Sequence, residues 1–186
     1  MRIISGEYGG RRLKAVPGQN TRPTTDKVKE SLFHMIGPYF DGGRALDLYA
    51  GSGALGIEAV SRGINKAYLV DHNHQAIKTI NENIAVTKEP DKFIIWKKKD
   101  TQALESLRQL DVTFDLVLLD PPYGSQELEQ IVKKLVDYQL LNDQAIIVCE
   151  TDKDVSLTID DPSLSFIKDK TYGTTRLSLY EKVTNA

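Results

Sequence analysis

The run Phe114-Asp115-Leu116-Val117-Leu118-Leu119-Asp120-Pro121-Pro122-Tyr123 constrains the fold more than any other stretch of this chain. Successive side chains of a strand point to opposite faces. Leu116 to Leu119 are apolar at every position, so both faces must be buried. A strand buried on both sides belongs to a parallel sheet covered by helices, not to a half-solvated antiparallel one. The surrounding chain agrees. From about residue 44 it alternates short apolar strands (Ala45–Tyr49, Ala67–Asp71, Phe93–Trp96, Phe114–Asp120, Ala145–Glu150) with helical patterns. Ile77, Ile80 and Ile84 make one helical stripe, Leu104 and Leu107 a shorter one, and Leu128, Ile131, Leu135 and Tyr138 another. An α/β fold is expected. Ser165–Lys168 and Arg176–Glu181, flanking Tyr172-Gly173-Thr174, read as a closing antiparallel hairpin. Upstream, Thr24 or Thr25 caps a helix beginning at Asp26, with Val28, Leu32, Met35 or Ile36, and Tyr39 on one face.

The first strand runs into Leu46-Asp47-Leu48-Tyr49-Ala50-Gly51-Ser52-Gly53-Ala54-Leu55-Gly56. Gly51, Gly53 and Gly56 have the G-x-G-x-x-G spacing, and Asp71 ends the next strand 20 residues after Gly51. Such glycines permit a tight turn and close approach of a ligand, and the later acid accepts from ribose hydroxyls. The pattern alone says nucleoside cofactor, either a dinucleotide or S-adenosylmethionine. Asp47 separates the two. It stands where a pyrophosphate would have to approach, and two like unit charges about 4 Å apart repel by roughly 4 kcal/mol at an effective dielectric near 20. S-adenosylmethionine instead brings a sulfonium and an ammonium. Asp100, after the third strand, is placed to meet an adenine edge or to cap the helix from Thr101.

The fourth strand ends in Asp120-Pro121-Pro122-Tyr123. Each proline fixes φ and lacks an N–H, which leaves a rigid corner rich in acceptors. Asp120 adds a carboxylate and Tyr123 a flat aromatic face. Acceptors without donors suit an exocyclic NH2 on a planar base. Holding its two hydrogens localises the nitrogen lone pair, and one well-placed partner of this kind is worth roughly 3–4 kcal/mol in the transition state. Stacking on an aromatic ring returns about 1–3 kcal/mol of the cost of extruding a base.

Charge is distributed unevenly. The net charge is −2, yet residues 1–30 hold seven bases and three acids, a net +4, leaving −6 for the remainder. Residues 1–23 are read as a basic hairpin arm, with Arg2–Ser5 and Arg12–Val16 as its strands, and residues 24–186 as the main domain. A basic arm on an acidic body implies an anionic partner met by the arm. With no stretch near the roughly 20 apolar residues of a membrane span and no apolar N-terminal run, a cytoplasmic protein without membrane contact is expected. The single Cys149 excludes an intramolecular disulfide and a cysteine-built zinc site and reads as a core thiol. No metal site is expected.

These motifs resemble the class I S-adenosylmethionine-dependent methyltransferases that methylate amino groups through a D/N-P-P-Y/F/W corner. Met1-Arg2-Ile3-Ile4-Ser5-Gly6, Gly9-Gly10-Arg11-Arg12-Leu13 and Arg22-Pro23-Thr24-Thr25-Asp26-Lys27-Val28-Lys29-Glu30-Ser31-Leu32-Phe33, together with the glycine loop and Asp120–Tyr123, resemble the bacterial 16S rRNA guanine-N2 methyltransferases of the RsmD type. The resemblance implies a Rossmann-like, mostly parallel seven-stranded sheet with an antiparallel last strand and helices on both faces. It implies S-adenosylmethionine as cofactor and one guanine of the small ribosomal subunit as target; a monomer is expected. Carried over, the cofactor side comprises Asp47, Tyr49, Ala50, Gly51, Ser52, Gly53, Asp71, His72 and Asp100. The amine side comprises Asp120, Pro121, Pro122 and Tyr123. Arg2, Arg11, Arg12, Arg22 and Lys27 would meet RNA. His72 and His74 depart from the family pattern; neither is assigned a role of its own, and both are expected at the surface. Three rival readings are a DNA adenine-N6 or cytosine-N4 methyltransferase, a nicotinamide-dependent oxidoreductase, and an RNA-binding module without catalysis. Lys97-Lys98-Lys99 reads as a solvated strand end, with RNA contact as the alternative.

Overall fold

A computed structural model describes residues 1–18, 25–122 and 124–184. Thr24, Arg22 and Tyr123 of the sequence reading lie outside the described residues. Seven strands form one sheet: β1 (Arg44–Asp47), β2 (Lys66–Asp71), β3 (Phe93–Lys97), β4 (Phe114–Leu119), β5 (Leu141–Asp152), β6 (Leu164–Tyr172) and β7 (Thr175–Lys182). Their order is β3-β2-β1-β4-β5-β7-β6. The first five run parallel, and β7 pairs antiparallel with both β5 and β6. The strand order therefore reverses between β1 and β4, and ligands of such sheets bind outside the carboxyl ends at that point.

The helices are α1 (Asp26–Ile36), α2 (Ala54–Ser61), α3 (His74–Thr87), α4 (Asp100–Leu110) and α5 (Ser125–Asp137). They cover both sides of the sheet, as the doubly apolar β4 requires. Leu116 and Leu118 enter a core with Ile57, Val60, Ile80 and Ile84 of α2 and α3. Val117 and Leu119 enter the opposite core with Leu104, Leu107, Leu128 and Leu135 of α4 and α5. Cys149 is buried there, and loss of solvation pushes its thiol up to about 12, so it is inert.

Some boundaries differ from the sequence expectation. β1 stops at Asp47, so Tyr49 lies in the turn beyond it. Thr25 caps α1 by accepting from Val28 N, and α1 ends at Ile36. Tyr39 therefore lies past the helix, 61% exposed, with its hydroxyl 2.7 Å from that of Ser5. The buried face of α1 also includes Lys29, beside Leu32 and Phe33, where a long aliphatic stem lets a base occupy a buried position.

The N-terminal arm is held to the main domain by contacts that run from Arg2 to Lys14. It has one antiparallel bridge, Arg2 with Arg12, rather than two extended strands. Its backbone seeks partners in the helices. Glu58 of α2 accepts from Ile4 N (2.8 Å) and Ser5 N (3.1 Å), and Ser61 O accepts from Glu7 N (2.8 Å). Ile3, Tyr8 and Leu13 are buried in the same core as α2 and α3. Glu58 is itself fully buried and pairs with Arg62 Nε (2.8 Å) and Lys29 Nζ (3.5 Å). Burial pulls the Lys29 ammonium below its ordinary value, while Glu58 opposes that shift.

Candidate active site

Three strand ends build the site. Asp47 closes β1, and the chain then turns through Gly51 (φ +56°) and Gly53 (φ +83°) into α2. Both conformations are left-handed, where a side chain would be strained. Gly56 has a different reason. A Cβ there would collide with Leu69 Cδ2, so glycine lets α2 lie directly on β2.

Each acid of the sequence reading has a defined place. Asp47 is buried and its Oδ2 accepts from Gly56 N at 3.3 Å. Burial pushes its carboxyl up to about 7; the Gly56 bond opposes this, and the charges of Asp71 and Glu150 reinforce it. Asp71 ends β2, and its two oxygens accept from Gly51 N and Asn73 N, both at 2.9 Å. It therefore ties the glycine loop to the second strand, while Asn73 caps α3 by accepting from Ala76 N. Asp100 opens α4; its Oδ2 accepts from Tyr49 Oη (2.8 Å) and its Oδ1 from Thr101 N (2.7 Å). Tyr49, just before the glycines, is thus joined to the end of the third strand. Ala50 and Ser52 complete the loop, with Ala50 N donating to Val70 O at 2.8 Å.

Asp120 follows the last residue of β4, and β4 lies beside β1 with Leu118 opposite Asp47. The acid that ends β1 and the Asp-Pro-Pro corner therefore meet at the reversal of strand order. Asp120 and Pro122 are exposed and Pro121 is half-buried. Asp47, Asp71, Asp100, Asp120 and Glu150 together give this edge a negative field, which suits a cationic ligand and repels a pyrophosphate.

His72 and His74 are exposed; His72 Nδ1 stands 4.0 Å from Asp71 Oδ1. Among the described residues there is no group of three or more His, Cys, Asp or Glu that could hold a metal ion. Lys27 and Arg12 are exposed on the arm side, and so is Arg2, which lies 3.8 Å from Asp26. Arg11 is engaged within the fold. Its Nη1 donates to Val86 O and Thr87 O, both at 3.1 Å, and its guanidinium lies over the Tyr8 ring. The chain end of α3 needs such a cation for its orphan carbonyls. Of Lys97-Lys98-Lys99, Lys98 Nζ bonds Ser106 Oγ and lies 4.4 Å from the centre of the Trp96 ring.

Two residues escaped the sequence reading. Glu150 comes near Asp47 at the carboxyl edge, where a charged residue ending a buried strand was the signal. Asn83 is buried on α3 and bonds both ways to Lys14 of the arm (N to Oδ1 2.8 Å, Nδ2 to O 2.9 Å). The same Nδ2 donates to Ser52 O of the glycine loop (2.8 Å). A polar residue on the Ile80–Ile84 stripe was the available sign.

Comparison with known proteins places this geometry. The family model described as "Conserved hypothetical protein 95" matches residues 1–181. The chain belongs to that family. YlbH of Bacillus subtilis (strain 168) is 44% identical over 182 residues, 98% of this chain and 99% of the relative. Ribosomal RNA small subunit methyltransferase D of Escherichia coli (strain K12) is 31% identical over 182 residues, 98% of this chain and 90% of the relative. The solved structure of yhhF from Escherichia coli superposes with a TM-score of 0.83 at 30% identity, covering 98% of both chains. The family resemblance carried by the motifs is met, and so is the Rossmann-like methyltransferase architecture. As a member of the conserved hypothetical protein 95 family, the chain keeps arm, glycine loop and Asp-Pro-Pro corner within one matched span.

Proposed function

We propose that this protein is an S-adenosylmethionine-dependent methyltransferase acting on small-subunit ribosomal RNA, at the exocyclic N2 of a guanine. The observation that carries the reading is the meeting of a buried, cation-seeking Asp47 with Asp120-Pro121-Pro122 on adjacent strands. The residues fit the cofactor. Gly51 leaves open space where a Cβ would stand, and Asp47 is a buried carboxyl waiting for positive charge. Asp47 would face the cationic methionine end, Asp71 the ribose hydroxyls, and Asp100, oriented by Tyr49, the adenine amino group. When bound, S-adenosylmethionine supplies an electrophilic methyl on a sulfonium, transferred in line and leaving a neutral thioether.

The protein's own part is to make a reluctant amine react. The Asp120 carboxylate and the carbonyls of the proline corner accept the amino hydrogens, which localises the lone pair and steadies the positive charge that develops on nitrogen. The rigidity of two prolines means little reorganisation accompanies the reaction. The exposed Asp120 carboxylate then passes one amino proton to solvent. Tyr123 keeps its proposed role as stacking platform from its place in the sequence. Arm and body divide the work: basic residues of the arm side meet RNA phosphates, and the acidic edge holds the donor. Sequence similarity to Ribosomal RNA small subunit methyltransferase D supports the RNA substrate.

The test is transfer of labelled methyl from S-adenosylmethionine to small ribosomal subunits lacking the modification, with duplex DNA alongside, followed by nucleoside analysis. N2-methylguanosine is the expected product. Label only on adenine or cytosine of DNA would replace the reading with that of a DNA amino-methyltransferase.

A further inference from the structure

We propose that Arg2 and Arg12 form one two-guanidinium clamp for a single phosphodiester of the RNA, an inference that rests on the rRNA reading above. The geometry comes from the backbone. Ile3 N donates to Arg11 O (2.8 Å) and Leu13 N to Met1 O (2.9 Å), so these two bonds flank the Arg2–Arg12 bridge. That makes Arg2 and Arg12 a non-hydrogen-bonded antiparallel pair, the kind whose side chains stand closest, with Cα atoms about 4.5 Å apart. The pleat sends their neighbours Ile3 and Leu13 into the core and sends both arginines outward into water.

Like charges directly opposite one another across two strands are destabilising. A folding role alone would favour an acid at one of the two positions. Asp26 offsets part of one charge, with its Oδ1 3.4 Å from Arg2 N and its Oδ2 3.8 Å from Arg2 Nε. The Arg12 guanidinium has no ion-pair partner among the described residues. What remains is an uncompensated charge of about one unit in a groove of about 340 Å³ lined by Met1, Arg2, Gly10, Arg12 and Asp26. Two forked guanidinium groups facing one groove match the tetrahedral oxygens of a phosphodiester. The position suits the reaction as well. Lys14, two residues beyond Arg12, is locked to Asn83, and Asn83 also holds Ser52 of the glycine loop. A phosphate caught here is therefore registered against the donor side of the site. Adjacent arginines divide the labour, since Arg11 is committed to the end of α3.

The experiment measures binding of the full protein to unmodified small subunits across a KCl series. Binding of S-adenosylhomocysteine, followed by calorimetry, checks that each variant is folded. Arg2→Ala and Arg12→Ala each weaken subunit binding several-fold. The double variant lowers the slope of log affinity against log salt by about 0.7–0.9, the count for one phosphate rather than two. Arg12→Lys restores more of the slope than of the affinity, because charge returns without the fork. Arg11→Ala lowers the melting temperature and leaves the slope as it was. A loss near twice that size in the double variant would mean two separate phosphates and would overturn the clamp while leaving the RNA reading intact. Unchanged slopes would remove the pair from the interface. A wild-type protein that binds no subunit would sink the substrate reading itself.

Discussion

Asp47 shows how a single residue sets stability and ligand capture against each other. Its carboxyl is raised to about 7 by burial, so between its unfolded value near 4 and about 7 the folded chain binds the extra proton. Stability contributed at this position therefore falls as pH rises through that window. Asp47→Asn removes the conflict. At pH 8 the variant is expected to melt at higher temperature than the parent, and the difference is expected to vanish near pH 4. A cationic donor needs the carboxylate, so affinity for S-adenosylmethionine rises with pH up to about 7, by at most tenfold per unit, and levels off above it. The Asn variant binds weakly with no such rise. Calorimetry over pH 5–9 checks both limbs, and a flat parent profile would take Asp47 out of the donor site. At Asp120 the expected loss is kinetic. Asp120→Ala lowers turnover by roughly 10²–10³-fold while S-adenosylhomocysteine affinity changes little. Single-turnover methyl transfer at saturating donor measures this, and a near-normal rate would refute the role.

At the scale of elements, α2 carries the instructive case. Seven of its eight residues are buried, and one of them is an acid. Glu58 survives there because both oxygens are saturated, by Ile4 N, Ser5 N, Arg62 and Lys29. Removing one partner of a buried ionic cluster strands the others, at about 3–5 kcal/mol. Glu58→Ala is accordingly expected to unfold the chain at much lower urea, and Glu58→Gln, which keeps an acceptor, to lose less. Equal midpoints for parent and Ala variant would contradict this account. The lone acid in an apolar helix was visible in Ala54–Ser61, and so was Arg62 at the i+4 position, but its other partners come from residues 4, 5 and 29, and no local pattern links those to it. Strand ends were legible for the opposite reason. Asp47, Asp71 and Asp120 each follow an apolar run directly, Asp100 follows the three lysines that close the third strand, and in a parallel sheet position along the chain fixes the edge on which a residue emerges. Arg11 was illegible because charge alone does not distinguish a guanidinium facing solvent from one facing the carbonyls of α3.

For the whole molecule, the arm is the element whose character changed most between sequence and structure. Basic composition and a glycine-rich turn describe an appendage, whereas Ile3, Tyr8 and Leu13 are buried in the main core. Full burial of three such side chains is worth roughly 1.5–3 kcal/mol each, comparable with the 5–15 kcal/mol that holds a domain together. Deleting residues 1–16 is therefore expected to yield a chain without a cooperative melt above 37 °C, rather than a trimmed but stable enzyme. Circular dichroism on the purified fragment decides, and a transition within a few degrees of the parent would show the arm to be dispensable. No helix among the described residues is long and apolar enough to cross a membrane.

The saturated carboxylate on α2 also has a consequence for descent. Two cations, Lys29 of α1 and Arg62 at the end of α2, answer to one oxygen pair, so neither drifts alone, whereas Ile4 and Ser5 bring only backbone amides that any side chain there would supply. Neutralising either cation strands an anion, and losing the anion strands two cations and a pair of amides. Lineages that vary here must substitute in concert, and a relative that lacks the acid should lack its two bases as well.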